Sequence, residues 1–485
     1  MVTKTRNILV RVVVLAMLAP AMAGGAVPGP VLEAAANLRD LAHAESDAWR
    51  IAASLTIEVG PRAAGSAGDR AAVAWALATL GELGFDAVRP QSVTVPAWER
   101  GEADVRIVQP YPQTLAATAL GHTVGTPEEG IEAPVLRVES LAALEAMTAA
   151  TVRGHIVFID QPMSRTRDGE SYGDVGPVRN KGPSVASQRG AVAVVIRSLA
   201  TSNARFPHTG STKFEQGVRP IPAFALAVPD ADMLARQASG GEPVQLHVRS
   251  TARPLPAARS ANVIGEIRGA SRPEEIVLLG AHLDSWDLGT GAVDDAAGVA
   301  IVTEVGRLIA ALPRRPARTI RVVLFANEEA GLDGAKAYHA AAAEAGETHV
   351  VGLESDLGSG RLYALNSGVG EGALALVEAM RDVLAPLGIE GGDNASTDGA
   401  DLTPLREAGM PVLSLAHDAS RYFDWHHSAD DTLDKVDPEA LKQAVAAYAT
   451  VAWIAAEIED DFGRFPKPPE TPADASPPEA SADGR

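Results

Sequence analysis

Three β-type runs of the chain each end on groups able to hold a metal ion or move a proton. The run 276–279 leads into His282 and Asp284, the run 320–325 into Glu328-Glu329, and the run 350–353 into Glu354-Ser355-Asp356. A fourth unit, His426-His427-Ser428, has Asp431-Thr432 close behind it. After the first run the glycine-rich stretch 289–291 turns the chain and returns Asp294 toward the same edge. Each residue alone has an ordinary structural role: a histidine caps a strand, an aspartate before a helix is an N-cap, and paired glutamates open a solvated helix. Their recurrence at successive strand ends points to a site, because ligands of open α/β sheets bind at the carboxyl ends of the strands.

Counting the set gives His282, Asp294, Glu329, Asp356 and His427. The chain contains no cysteine, so thiolate sites and cysteine nucleophiles are excluded, and imidazole with carboxylate suits zinc. Two metal ions that share one bridging carboxylate need five ligands, which is the number found. Three carboxylates oppose four positive charges from two Zn2+, and a bound hydroxide balances the remainder. Two divalent ions lower the pKa of a shared water from about 15.7 toward about 7. Glu328 has no ligand role and is placed to act as general base, taking the proton of that water and passing it to a leaving amine. Asp284, two residues beyond His282 on the same side of an extended chain, is expected to orient the imidazole with its carboxylate.

These residues resemble the dinuclear zinc exopeptidases related to bacterial leucyl aminopeptidase, and within them the carboxypeptidase Q branch. The likeness runs from about residue 40 to 460. Its marks are HLDSWD and GAVDD within 282–295, Glu328-Glu329, Glu354-Ser355-Asp356, HHS and DT within 422–432, Arg197-Ser198, PHTG at 207–210 and GPRAAGS at 60–66. The resemblance implies one zinc on His282, Asp294 and Asp356 and a second on Asp294, Glu329 and His427, with Asp294 bridging. It selects His427 over His426 because the ligand stands immediately before Ser428, and it implies a cis peptide between Asp294 and Asp295. It further implies a homodimer, and it makes the insert 101–257 a protease-associated domain that covers the cleft. His208 within that insert reads as a surface-loop histidine. One departure is that Ala296-Ala297-Gly298 follows Asp295 where the family commonly has glycine first.

The implied activity is a zinc-dependent exopeptidase acting on dipeptides or short peptides. A broad aminopeptidase with the same two Zn2+ is the alternative. A non-catalytic binding protein and a one-zinc glutaminyl cyclase are disfavoured, since all five ligands and Glu328 are present.

The elements that must position this chemistry follow from the rest of the 485 residues. A composition of 46% hydrophobic and 21% charged residues describes a globular chain of more than one domain. A formal net charge of −20 argues against nucleic acid and anionic lipid as partners. Residues 1–23 read as an export signal: Lys4, Arg6 and Arg11 precede the apolar run 12–22, and Ala21-Met22-Ala23 fits the cleavage pattern. That run is shorter than the roughly 20 residues a spanning helix needs, so the protein is expected in the periplasm or the medium. Residues 465–485, with six prolines and no large apolar residue after Phe465, read as a disordered tail.

Residues 31–89 read as helical, with a turn at 60–66. The short runs 152–160, 191–196 and 221–228 mark a β-rich module. After 254, alternating strands and helices predict a mixed, mostly parallel α/β sheet with helices on both faces. The expected organisation is one zinc peptidase domain over 31–100 and 258–464, interrupted by the insert 101–257.

Overall fold

The computed structural model describes residues 27–397 and 399–465. The export signal expected over 1–23 lies outside them, as does all of the expected tail except Phe465. Phe465 itself is tied down, its N–H donating to the Gly409 carbonyl at 3.0 Å.

Two eight-stranded mixed sheets carry the chain. The first has the order Ala87–Glu99, Arg253–Ile267, Arg318–Phe325, Arg272–His282, Thr348–Glu354, Val412–His417, Leu362–Gly368 and Glu390–Gly391. Its centre is parallel, from Arg318–Phe325 through Arg272–His282 and Thr348–Glu354 to Val412–His417. The pairs toward the Ala87–Glu99 edge are antiparallel. The central strands are continuous apolar runs because both faces are covered. Val277, Leu279 and Ala281 point into the core formed with the helices Ala297–Ala310 and Pro438–Glu457. Leu278 points the other way, toward Ala335, Tyr338 and Leu405.

The second sheet is built from residues 103–250, in the order Gln113–Leu115, Ala103–Gln109, Gln245–Ser250, Ile131–Val138, Ile156–Ile159, Ala193–Arg197, Ala223–Leu226 and Ala117–Ala119. It is not purely β. Helices Glu170–Asn180, Gly182–Gln188 and Val228–Ala238 accompany it. The expected strand from 152 begins only at Ile156, because Ala149–Val152 closes a helical turn capped by the Thr148 hydroxyl.

The helical reading of 31–89 stops early. The helix Ala67–Glu82 is capped by Ser66, whose hydroxyl accepts from the Asp69 N–H while Asp69 accepts from the Gly65 N–H, a reciprocal cap. Gly84 then turns the chain at φ 86° into the edge strand Ala87–Glu99.

The departure after Asp295 has a packing explanation. Ala296 and Ala297 are fully buried, so their methyl groups fill space. Gly298 is the position with no room: a Cβ there would stand 2.0 Å from the Ser355 carbonyl oxygen and 2.3 Å from an Asp295 carboxylate oxygen. Gly298→Ala is therefore expected to cost about 1–3 kcal/mol, read as a lower thermal midpoint of the chelated protein. Ala297→Gly should cost about 1 kcal/mol from helix propensity alone. An unchanged midpoint for Gly298→Ala would contradict this packing.

Candidate active site

The parallel registers set His282 opposite Phe325 and Gly280 opposite Glu354, so the three strands end at one edge. Arg272–His282 ends on His282. Asn327, at φ 60°, turns the chain after Phe325 into the short helix Glu328–Gly331. Asp356 follows Glu354 by two residues. Asp294 lies in the turn Ala292–Ala296, and the Asp294–Asp295 peptide is cis.

That turn is held by residues far away in sequence. Arg62, fully buried, donates from Nε to the Leu283 carbonyl at 2.6 Å, from Nη1 to Thr290 at 2.7 Å and from Nη2 to Gly291 at 2.9 Å. Asp431 Oδ1 accepts from the Ala292 and Val293 N–H groups at 2.8 and 2.7 Å. The GPRAAGS and DT segments thus act as supports for the loop that carries Asp294.

All seven residues singled out in the sequence meet at this edge. Asp294 divides its carboxylate: Oδ1 is 3.0 Å from His282 Nε2 and Oδ2 is 3.2 Å from His427 Nε2. Asp356 Oδ1 stands 3.2 Å from His282 Nε2, and Glu329 Oε2 stands 2.8 Å from His427 Nε2. Two three-residue clusters therefore share Asp294. Donors around a tetrahedral zinc, at about 2.0–2.2 Å from the ion, lie roughly 3.3 Å apart, close to these separations. Glu329 Oε1 is buried with no hydrogen-bond partner, a costly condition that a cation relieves. The donor set fits zinc.

Two neighbours compete for inclusion. Asp295 also lies near His282 and Asp356, but its oxygens accept from the Gly298 N–H at 3.0 Å and the His282 N–H at 3.2 Å. His426 Nε2 is 3.6 Å from Asp294, and its ring stacks on His427 at 3.5 Å. His427 alone of the two rings approaches Glu329.

Asp284 departs from expectation. His282 Nδ1 faces the Asp284 backbone carbonyl at 3.0 Å, while the Asp284 carboxylate is 3.8 Å from that nitrogen. Its Oδ1 accepts instead from the Glu328 N–H at 3.1 Å, drawn to the unpaired donors at the start of a helical turn. His208 also departs: it is buried, and its Nδ1 meets the His426 carbonyl at 2.5 Å. The Thr209 N–H donates to the His427 carbonyl at 2.9 Å. Together they hold the 426–427 backbone, where His427 takes φ 60°, a conformation that costs a non-glycine residue roughly 1–2 kcal/mol.

Burial and like charge raise several carboxyl groups here. Burial, then Asp356, pushes Glu354 up to about 8, and burial, then Asp294, raises Asp431 to about 7. Burial alone would lower His427, but Glu329 and Asp294 raise it to about 9. Each group holds its proton more tightly folded than unfolded, so the folded state binds more protons and stability falls as pH rises. The decline runs from the ordinary carboxyl range near 4 through the folded values of about 7, 8 and 9. His208, His349 and His417, lowered to about 4 by burial, act in the opposite sense below about pH 6.5. Chelated protein is therefore expected to melt at progressively lower temperature from pH 7 to pH 9, and zinc should suppress that slope. A midpoint that rises with pH over that range would contradict it.

The edge opens into a cleft of about 840 Å3. Asp401 beside it, and Tyr172 and Arg179 on its wall, carry no sequence signal. Asp401 is buried with both carboxylate oxygens unpartnered, and Glu354 accepts from its N–H at 3.3 Å and from that of Leu402 at 3.0 Å. Arg179 and Tyr172 reach the cleft from the helix Glu170–Asn180 of the second-sheet module.

Residues 262–452 match the model of peptidase family M28. Carboxypeptidase Q of Homo sapiens is 35% identical over 436 residues, covering 90% of this chain and 91% of that protein. The chain belongs to peptidase family M28. It is a metallopeptidase of that family. A crystal structure of a peptidase M28 precursor from Shewanella amazonensis superposes with a TM-score of 0.89 at 43% identity, covering 90% of this chain and 99% of that one. A zinc aminopeptidase from Bacillus subtilis shares the fold, with a TM-score of 0.62 at 21% identity over 86% of this chain and 97% of its own. Among the described residues no helix is long and apolar enough to cross a membrane.

Proposed function

We propose that this chain is an exported, dinuclear zinc exopeptidase that hydrolyses dipeptides or short peptides with free ends. The observation that carries the reading is the division of Asp294 between two imidazoles, with Asp356 beside one and Glu329 beside the other. His282, Asp294 and Asp356 would hold one zinc, and Asp294, Glu329 and His427 the second. Two divalent ions bound there supply polarisation of the scissile carbonyl and a water acidic enough to react near neutral pH.

Glu328 takes the proton of the attacking water and returns it to the leaving nitrogen as the C–N bond breaks. In the metal-free protein burial, then Asp356, pushes its carboxyl well above the usual range, and the positive charge of bound metal would oppose that shift and favour the carboxylate. Asp284 is a positioning residue: by accepting from the Glu328 N–H it fixes where the base begins. The module over 101–257, read as a protease-associated domain, adds Tyr172 and Arg179 to the cleft wall. Export rests on the charge and apolar pattern of residues 1–23, and a homodimer belongs to the same reading.

The test is a panel of unblocked dipeptides, tripeptides, amino-terminally blocked peptides and aminoacyl-nitroanilides on the zinc-loaded mature protein. Unblocked dipeptides are expected to exceed nitroanilides by at least about tenfold in kcat/KM. Comparable rates on the nitroanilides would make the enzyme a broad aminopeptidase instead.

A further inference from the structure

Arg179, a buried cation of the cleft, has no carboxylate partner among the described residues. Arg179 is 7% exposed and lines the cleft. Its Nη2 donates to the Tyr172 hydroxyl at 2.6 Å and its Nη1 to the Thr209 carbonyl at 3.2 Å, and Nη1 lies 3.1 Å from His427 Nδ1. Nε is buried with no partner. Among the described residues Arg179 makes no ion pair, and its partners are the Tyr172 hydroxyl, the Thr209 carbonyl and the His427 ring nitrogen. Gly210, at φ 130°, leaves room for the guanidinium, since a Cβ there would stand 2.2 Å from Nη1. The PHTG segment therefore shapes a seat for this cation. Exposed Lys213 lines the same cleft from the same module.

A guanidinium taken out of water with no anion against it is costly until one pairs with it. Asp294 and Glu329, which meet the other nitrogen of the His427 ring, belong to the proposed ligand set. We infer that Arg179 receives the substrate's terminal carboxylate, on the residue directly after the scissile bond. This rests on the peptidase reading given above. The planar fork presents paired N–H donors that match a carboxylate. Its contact with His427 puts it about one residue from the reacting carbonyl, since successive Cα atoms are about 3.8 Å apart. Each further residue would carry the carboxylate past the fork and leave a neutral amide there. The anchor thus favours dipeptides and removal of a single carboxy-terminal residue.

The experiment compares a dipeptide with its carboxy-terminal amide on the zinc-loaded mature protein, unaltered and as Arg179→Gln and Arg179→Lys. The unaltered enzyme should favour the free carboxylate by about a hundredfold in kcat/KM, mostly through KM, and Arg179→Gln should collapse that ratio to about threefold or less. Arg179→Lys should fall between. Inhibition by free leucine against leucinamide reads the same preference without turnover. Near-equal rates on acid and amide in the unaltered enzyme would overturn the anchor while leaving the peptidase reading in place. Equal losses on both substrates in Arg179→Gln, with the ratio kept, would reduce Arg179 to a structural clamp. Absence of turnover on every substrate would overturn the peptidase reading itself. If Arg179→Gln fails to fold, the ratio in the unaltered enzyme and the leucine pair still decide.

Discussion

Glu328→Gln is expected to lower kcat by about two to four powers of ten while zinc content stays at two per chain and KM changes little. Gln keeps the shape of the side chain and the backbone N–H that Asp284 accepts at 3.1 Å, so the fold of the site is preserved. It removes the basic oxygen. Glu328 is absent from both clusters around Asp294, so its loss leaves every proposed ligand in place. A carboxylate there can take up the water's proton, and an amide has no such basicity to offer. Steady-state kinetics alongside metal analysis checks this. Turnover within about tenfold of the unaltered enzyme would remove Glu328 from its role, and loss of zinc would make it a ligand.

Asp294→Ala should act one level deeper and empty both metal positions, with turnover lost beyond the effect of Glu328→Gln. Asp294 has one carboxylate oxygen 3.0 Å from the His282 imidazole and the other 3.2 Å from that of His427. Without metal it is held well below the usual carboxylate range despite its burial, because His282 and His427 stabilise its charge. Removing it leaves two buried imidazoles short of a counter-charge, at about 3 kcal/mol, so the chelated variant should also melt at a lower temperature. His427→Ala should instead retain one zinc, and His426→Ala two. Retention of two zinc ions by Asp294→Ala would refute the bridging role.

What the sequence made legible was the chemistry at strand ends. Apolar runs buried on both faces are easy to recognise, and His282, Glu328-Glu329 and Asp356 stand directly after three of them. The supports were harder to see. Arg62 acts across more than 200 residues to hold the Asp294 loop, and no local pattern reports such a contact.

Five strands of the first sheet, Ala87–Glu99, Arg253–Ile267, Leu362–Gly368, Glu390–Gly391 and Val412–His417, have no counterpart among the runs read from the sequence, and two of them show why. Ala87–Glu99 alternates, burying Val93, Val95 and Ala97, yet it follows a helix closely and reads as its extension. Val412–His417 is a six-residue run hidden among helices. Asp284 was placed correctly beside His282, but its backbone carbonyl does the orienting, a distinction that spacing alone does not make. Arg179 carries no motif; only the fold brings it against His427.

The central claim is that five side chains hold two zinc ions on which peptide hydrolysis depends, and a zinc titration of the chelated, mature protein tests it most directly. Dipeptidase activity followed together with bound metal is expected to be absent at the start and to saturate at two zinc ions per chain. Full activity in the metal-free protein, or saturation with a single zinc bound, would contradict it.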